Sequence, residues 1–296
     1  MLRIIDVPSQ LMPKMPIKYP PHQGRNPMIE EKFFIYFKKN FKQINSDYVY
    51  LPVQWTSFHL KNNYGENVQP LIDYQNEIIK QMPNEKFFTI VQYDGGTLVP
   101  LDNCRVFACS GSFNSPIGTN SSYEAIPLYS DPHRRLRKNK KKYKVVFCGR
   151  ITHDLRKLML STLNGITGYY LYDPGGVEIS KKDVKTFREL VGNSLFGLCP
   201  RGYGPTSFRL YETIQMGCIP IIISDEFWLP FEQYISWNKI ALLVTPNRIA
   251  EIPVLVNNLI DSGNYETMLE YGKYCYENYF SWKGIRTTVQ RMIEND

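Results

Sequence analysis

Arginines and glycines follow three short apolar runs in the second half of the sequence. The run KVVFC precedes GRITHDLR (149–156), LFGLC precedes PRGYGPTS (200–207), and CIPIII precedes SDE (224–226). Runs of this kind predict buried strands of a parallel sheet, whose carboxyl ends meet at one edge. Because ligands of such sheets bind beyond that edge, we expect the polar side chains to converge there. Guanidinium groups at that edge predict a phosphate ligand.

The middle segment, PRGYGPTS, combines the features of an anion-binding turn. Gly202 and Gly204 let the backbone bend sharply and approach a ligand closely. Thr206 or Ser207 then caps a helix, whose free N–H groups and dipole favour a negative charge. Arg201 adds a forked set of donors that fits a phosphate.

Arg209 and Glu212 are three residues apart in the helix that follows, so they share a face. Glu212 is five residues beyond Ser207, which is roughly 7–8 Å along a helix axis. The diphosphate and ribose of a nucleotide are separated by a similar distance, and a carboxylate there can accept two ribose hydroxyls. The same spacing also fits a capped helix with an internal Arg–Glu pair, and it leaves both interpretations open.

Residues 199–237, CPRGYGPTSFRLYETIQMGCIPIIISDEFWLPFEQYISW, resemble the C-terminal signature of exostosin-family glycosyltransferases. Weaker similarity runs through FFTIVQYDGG (87–96) and VVFCGRITHDLRKLML (145–160), and the resemblance covers residues 50–282. It implies inverting transfer of a sugar from a nucleotide sugar, usually a UDP-sugar, to a glycan hydroxyl. It also implies the GT-B fold, in which two Rossmann-like, doubly wound α/β domains face each other across a cleft.

Matching positions carry the family's donor site onto this chain. The resemblance implies that the diphosphate is surrounded by Arg150, Arg156, Arg201, Ser207 and Arg209, and that Glu212 holds the ribose. Tyr203 joins them as a donor-binding candidate. Its ring can stack on a sugar, as can those of Trp55 and Trp228, although core packing accounts equally well for each.

The departing nucleotide is strongly anionic, so its charge must be neutralised. No two aspartates of the sequence form an Asp-x-Asp metal motif, whereas arginines and a helix N-terminus are present. We therefore expect transfer without a metal, with the UDP-sugar as substrate and no cofactor.

Inversion needs a general base that takes the proton of the acceptor hydroxyl, and we expect it in the domain opposite the donor. Asp94 is the first candidate, because it ends the apolar run FFTIVQY and precedes Gly95-Gly96. The matching aspartate of plant relatives occupies a comparable strand end. A turn-forming Asp-Gly without a function explains the same residues. His59 is the second candidate, and Glu124 and Asp225 stay open.

Apolar runs alternate with helical patterns along most of the chain, which predicts an α/β fold with parallel sheets. We expect two domains, residues 1–137 on the acceptor side and residues 138–296 around the nucleotide sugar, with the last helix able to cross back. Helices are predicted at 29–44, 69–82, 153–163, 182–191, 207–216 and from 264 onward, and strands at 49–55, 87–93, 105–110, 124–129, 144–150, 168–173, 194–200 and 218–223.

The composition is that of a packed globular protein, with 43% hydrophobic and 21% charged residues in 296. The six cysteines form no CxxC pair, and several sit in apolar runs, which favours buried thiols over disulfides or zinc ligands. Residues 9–28 carry five prolines, which predicts an extended arm.

Much of the net charge of +7 comes from one run, HRRLRKNKKKYK (133–144), which we interpret as a solvated linker. A nucleic-acid groove would need basic residues interleaved with aromatic ones across several elements, so we expect no nucleic-acid partner. No apolar stretch reaches the ~20 residues of a membrane helix, and we expect a soluble, cytoplasmic protein like the short bacterial or viral relatives. The alternative to a transferase is a non-catalytic nucleotide- or carbohydrate-binding protein with the same fold.

Overall fold

The computed structural model describes residues 1–14, 28–110, 115–133, 141–175 and 180–295. They form two units, Met1–Leu128 with Trp282–Asp296 and Tyr129–Ser281, and each unit contains a five-stranded parallel sheet. The predicted α/β fold with parallel sheets is confirmed.

Strands and helices alternate in both units. The strands are β1 (Arg3–Ile4), β2 (Tyr48–Tyr50), β3 (Lys86–Val91), β4 (Cys104–Ala108), β5 (Ser122–Ala125), β6 (Tyr143–Cys148), β7 (Tyr169–Tyr172), β8 (Ser194–Pro200), β9 (Ile219–Ile223) and β10 (Leu242–Val244). The helices are α1 (Ile29–Asn40), α2 (Trp55–Lys61), α3 (Gln69–Gln81), α4 (Asp154–Leu163), α5 (Lys181–Gly192), α6 (Phe208–Gln215), α7 (Ile252–Asp261), α8 (Tyr265–Cys275) and α9 (Trp282–Glu294).

The sheet of the first unit has its strands in chain order, β1-β2-β3-β4-β5. Successive residues of a strand point to opposite faces. Phe88 of β3 packs against Phe37 of α1 at 5.4 Å between ring centroids, whereas its neighbour Phe87 lines an apolar pocket with Leu71 and Ile78 of α3. Helices therefore cover both faces of this sheet.

The sheet of the second unit has the order β10-β9-β8-β6-β7. The chain moves outward from β6 to β7 and then returns to the other side of β6 as β8. The strand order therefore reverses between β6 and β8, and this reversal is where parallel α/β sheets bind ligands, beyond the carboxyl ends of the strands.

Alternation along β6 divides the core of the second unit in two. Val145 and Phe147 lie in a cluster that α4 and α7 complete with Leu155, Met159, Leu163, Ile252 and Val256. Val146 and Cys148 lie in a second cluster, with Leu190 and Val191 of α5. The sheet is covered on both faces, as the apolar character of its strands predicts.

Two predicted strands of the first unit are shorter or displaced. The strand expected at 49–55 ends at Tyr50, close to Pro52, which has no N–H for a ladder, and α2 follows it without having been predicted. The strand expected at 124–129 lies at Ser122–Ala125 and ends before Pro127. In the second unit, β10 and α7 were also not predicted.

The unit boundary lies at 128/129, whereas the sequence suggested 137/138. The difference has a physical cause: the Ser130 hydroxyl donates to Glu212 at 3.4 Å, and the His133 N–H donates to Gln215 at 3.0 Å, which attaches this segment to α6. The last helix, α9, belongs to the first unit, where Trp282 packs edge-on against Phe33 of α1.

The predicted arm at 9–28 and the predicted linker at 133–144 fall largely on 15–27 and 134–140, outside the described residues. All six cysteines are buried and none is in a disulfide, which confirms the prediction of buried thiols. Within the described ranges, no helix is both long enough and apolar enough to cross a membrane.

Two glycines pack against α6, and replacing them would measure how closely this helix is packed against β8 and α8. A Cβ atom at Gly197 of β8 would lie 2.7 Å from the Thr213 Cγ2 atom, whereas one at Gly272 of α8 would lie 3.8 Å from the Ile214 Cγ2 atom. Gly197→Ala should therefore lower the free energy of unfolding by about 1–3 kcal/mol through overpacking. Gly272→Ala, the matched control, should leave it unchanged or raise it by up to about 1 kcal/mol, because alanine favours a helix. Urea unfolding of both variants measures this, and equal losses would show that the contact at Gly197 is not restrictive.

Candidate functional site

The loop after β6 starts at Gly149, where a side chain has no room. A Cβ atom there would lie 1.8 Å from Nη2 of Arg209, so glycine is needed to admit that guanidinium. The loop ends at His153, whose Nδ1 accepts the Leu155 N–H at 3.1 Å and caps α4. This cap fixes the first turn of α4, and with it Arg156.

Arg156 joins the loops that follow β6 and β8. It is 5% exposed, and it donates from Nη1 to the Arg150 carbonyl at 2.7 Å and from Nε to the Arg201 carbonyl at 2.9 Å. Burial, and after it the charge of nearby Arg209, lowers the pKa of Arg156 to about 9, so the side chain stays cationic at neutral pH. No carboxylate of the described chain forms an ion pair with Arg156.

Arg209 lies in the first turn of α6. Its Nη2 donates to the Cys148 carbonyl at 2.8 Å, and its guanidinium lies 4.7 Å from the centroid of the Phe147 ring. Its Nε and Nη1 atoms are buried and meet no acceptor among the described residues. Buried hydrogen-bond donors in proteins are rarely left without an acceptor. The alternative pair between Arg209 and Glu212 does not form.

The glycine-rich loop after β8 leads into α6 as predicted. Ser207 has extended backbone angles and its hydroxyl accepts the Arg209 N–H at 3.4 Å, which confirms it as the N-cap. The Gly202 N–H closes the loop on the Thr206 carbonyl at 3.3 Å. The Thr206 hydroxyl is buried and meets no partner among the described residues.

Arg201 and Arg150 lie at the same edge but hold protein partners. Arg201 donates from Nη1 to Asp225 at 2.5 Å, and its Nε is buried without an acceptor in the described chain. Burial opposes ionisation of Asp225, but the hydrogen bond and charge of Arg201 outweigh it, and the pKa of Asp225 is lowered. Arg150 donates to the Gly175 carbonyl at 3.1 Å and lies 3.8 Å from the Asp183 carboxylate.

Glu212 is buried, 4% exposed, in the middle of α6. Its Oε1 lies 2.9 Å from Nε2 of His133 and accepts the Ser130 hydroxyl at 3.4 Å. The sequence did not predict this contact with the segment that opens the unit. Glu212 therefore contacts the segment that opens the unit, whereas Arg201 is paired with Asp225.

Asp94 follows the carboxyl end of β3 in the first unit, as predicted. It occupies a tight turn closed by a hydrogen bond from the Gly96 N–H to the Tyr93 carbonyl at 3.0 Å. Gly96 has φ of +71°, a conformation that glycine adopts without strain. Asp94 is half-buried, so a turn-forming role and a catalytic role are both compatible with its position.

His59 does not fit the role of a general base. It is 0% exposed in α2, and its Nε2 lies 3.1 Å from the Thr97 carbonyl, which it can contact only as a donor. Burial lowers the pKa of His59 to about 4. An acceptor hydroxyl would have to enter the core to reach its Nδ1, so His59 is a packed neutral histidine.

The remaining candidates take structural positions, except for one. Glu124 pairs with Arg105 at 3.2 Å. Trp55 is 1% exposed and donates from Nε1 to Thr89 at 2.8 Å, and Trp228 is 7% exposed, so both rings pack inside the protein. Tyr203 is 74% exposed and stays available for stacking.

This donor-rich edge lies inside a recognised domain. Residues 101–259, more than half of the chain, match the Exostosin GT47 domain. The chain belongs to this family.

Relatives of the exostosin family cover parts of the chain. The exostosin-1 homolog of Caenorhabditis elegans is 31% identical over 155 residues, 46% of this chain and 41% of that protein. The probable glucuronosyltransferase 47 A of Physcomitrium patens is 38% identical over 93 residues, 31% of this chain and 20% of that protein. The chain thus spans less than half the length of these relatives. A solved glycosyltransferase from Rickettsia africae superposes with a TM-score of 0.44 at 12% identity, over 92% of this chain and 83% of that one.

Sequence reasoning missed three residues of this exostosin-family chain. Glu30 is a buried carboxylate near the Asp94 turn, and His133 contacts Glu212 from a segment interpreted as linker. Gly149 was noted only as a neighbour of Arg150, although the run VVFCGR, a glycine directly after a strand, signalled a close approach. Glu30 and His133 gave no signal, because their partners are 62 and 79 residues away.

The lowered pKa of His59 makes stability depend on pH. Between the native pKa of about 4 and the unfolded value of about 6.5, the unfolded chain binds the extra proton, so this contribution is complete above 6.5 and is lost as pH falls. In His59→Gln the amide can still donate to Thr97 but does not titrate. Between pH 7 and pH 5, wild type should therefore lose about 2 kcal/mol more than the variant, as measured by urea unfolding. Equal losses would place His59 in contact with water.

Proposed function

We propose that this chain is an inverting glycosyltransferase that moves a sugar from a UDP-sugar to a glycan hydroxyl. One observation carries the proposal: Nε and Nη1 of Arg209 are buried and meet no acceptor in the described part of the chain, next to the cationic Arg156, at the strand-order reversal of the second sheet. The unused donors of Arg209 and the adjacent buried cation Arg156 together favour an anion of high charge density. The diphosphate of a nucleotide sugar has that character.

The same groups would supply the catalytic electrostatics. The transition state of sugar transfer places growing negative charge on the leaving diphosphate. Fixed donors from Arg209, the Thr206 hydroxyl and the N-terminus of α6 would stabilise this charge without having to reorganise. We therefore propose transfer without a metal or other cofactor, in which arginine charge takes the place of a divalent cation.

Glu212 would hold the ribose. It lies about one and a half turns beyond the Ser207 cap, on the helix that presents its N-terminus to the diphosphate. His133 contacts Oε1 of Glu212, and this contact orients the carboxylate. Tyr203, exposed on the loop before α6, would stack on the base or the sugar.

Asp94 would be the general base that takes the proton of the acceptor hydroxyl as this attacks the anomeric carbon. For the sugar, relatives named as probable glucuronosyltransferases and a probable beta-1,4-xylosyltransferase make glucuronate and xylose the first donors to test, and galactose follows. The acceptor would be an oligosaccharide or longer glycan.

UDP should raise the melting temperature, because a ligand of the native state at 100 times its Kd adds about 2.7 kcal/mol. Arg209→Gln should abolish most of this shift, and Glu212→Ala should reduce it. Arg248→Gln, which removes an exposed arginine of the same unit, is the matched control. The shift should persist in EDTA. A full shift in Arg209→Gln would refute the diphosphate site, and loss of the shift in EDTA would refute the metal-free proposal.

Asp94→Asn should leave the UDP shift intact and reduce UDP release from the best UDP-sugar by about 10²–10⁴-fold, the usual contribution of a general base. Asp73→Asn, an exposed aspartate of α3, is the control and should retain activity. Persistent turnover in Asp94→Asn would exclude Asp94 as the base. A wild type that binds UDP but releases none from any UDP-sugar would favour the non-catalytic alternative.

A further inference from the structure

Glu30 is a buried carboxylate to which the proposed reaction assigns no task. It lies in the first turn of α1 and is 1% exposed. Its two oxygens accept the Thr56 N–H at 3.1 and 3.0 Å, and Oε1 also accepts the Thr56 hydroxyl at 2.7 Å and the Gln92 N–H at 2.8 Å. The two N–H groups can only donate, so they match the ionised carboxylate. Burial raises the pKa of Glu30 to about 7, and the hydrogen bonds from Gln92 and Thr56 oppose that rise.

The contact with Thr56 fixes the start of α2. Thr56 is the second residue of this helix, and Gln54, at the N-cap position, makes no side-chain capping bond. Glu30 supplies the missing cap from a different helix, where the α2 dipole favours its negative charge. The orientation of α2 therefore depends on Glu30.

The contact with Gln92 fixes the start of the turn that carries Asp94. Gln92 follows the last residue of β3 and stands two positions before Asp94. The bond is reciprocated, because the Gln92 side-chain carbonyl accepts the Ile29 N–H at 3.2 Å. The chain thus leaves β3 attached to the first turn of α1.

The far end of the same turn is attached to α2. His59, three residues after Thr56, donates to the Thr97 carbonyl at 3.1 Å, and its ring centroid lies 4.7 Å from that of Tyr93. Glu30 therefore determines both ends of the 92–97 segment, directly at Gln92 and through α2 at Thr97.

We propose that Glu30 is a positioning residue, which holds the Asp94 carboxylate in place by anchoring the 92–97 segment at both ends. This inference rests on the proposed function, in which Asp94 is the base. Displacement of a catalytic group by about 1 Å costs up to 10²-fold in rate. Loss of the Glu30 carboxylate should lower kcat and spare donor binding, which belongs to the other unit.

The test compares Glu30→Gln with Glu31→Gln, its neighbour on α1, in the full chain. UDP release from the best UDP-sugar should show a kcat at least 10-fold lower in Glu30→Gln, with the KM for the donor and the UDP thermal shift unchanged. Thr56→Val, which keeps the shape of the side chain and removes one hydrogen bond, should show a smaller loss of kcat, and Thr56→Ser should restore it. These Thr56 variants also answer the question if Glu30→Gln does not fold.

Amide hydrogen exchange gives a readout that does not need activity. Exchange at Gln92, Gly96 and Thr97 should be at least 10-fold faster in Glu30→Gln or Thr56→Val than in Glu31→Gln, and unchanged in the second unit. A kcat in both variants equal to that of Glu31→Gln, or unchanged exchange at the three amides, would overturn the inference. A wild type without turnover on any UDP-sugar would overturn the proposed function instead, and exchange would still report whether Glu30 orders the segment.

Discussion

The carboxyl edge of the second sheet, where the loops after β6 and β8 meet, depends on the guanidinium of Arg156. Parallel strands deliver loops to one edge, but they do not fix those loops against each other. Arg156 does so, because one buried side chain donates to the carbonyls of Arg150 and Arg201 on the loops after β6 and β8. Carbonyl oxygens satisfy its donors without neutralising its charge. The side chain of Arg156 therefore joins the two loops and also leaves a positive charge in a poorly solvated part of the protein.

A second cation, Arg209, adds to the uncompensated positive charge at this edge. Arg209 lies close enough to Arg156 to lower its pKa, and two like charges in a poorly solvated place repel each other. The arrangement is held by the absence of a side chain at Gly149, by the Cys148 carbonyl and by the face of the Phe147 ring. An anion bound at this site would accept hydrogen bonds from the unused donors of Arg209. It would also reduce the repulsion between the two guanidiniums.

The sequence predicted this edge well because its parts are local. Strand, glycine turn, capping serine and arginine follow one another within residues 194–209, so periodicity and capping rules place each of them. The alternation of strands and helices predicted only the class of fold. The position of the strand-order reversal, at β6, could be determined only from the structure. The helix α2, the capping of α2 by Glu30 and the bond between His133 and Glu212 could not be predicted, because each depends on residues far apart in the chain. His59 was a reasonable candidate by residue type, but only burial decides whether a histidine can act as a base.

Carboxylates of the second unit lie near Arg156 and Arg209 but contact other residues. An arginine cluster can bind an external anion only if the protein's own carboxylates do not neutralise it first. Asp225 is held by Arg201, Asp183 faces Arg150 and caps α5, and Glu212 contacts His133, so these three acidic groups have partners other than Arg156 and Arg209. The contact between His133 and Glu212 joins two segments and also gives the carboxylate of α6 a partner other than Arg209, which is three residues earlier on the same helix. Charges of both signs lie within a few residues of each other, and the two central guanidiniums still keep their charge for a ligand.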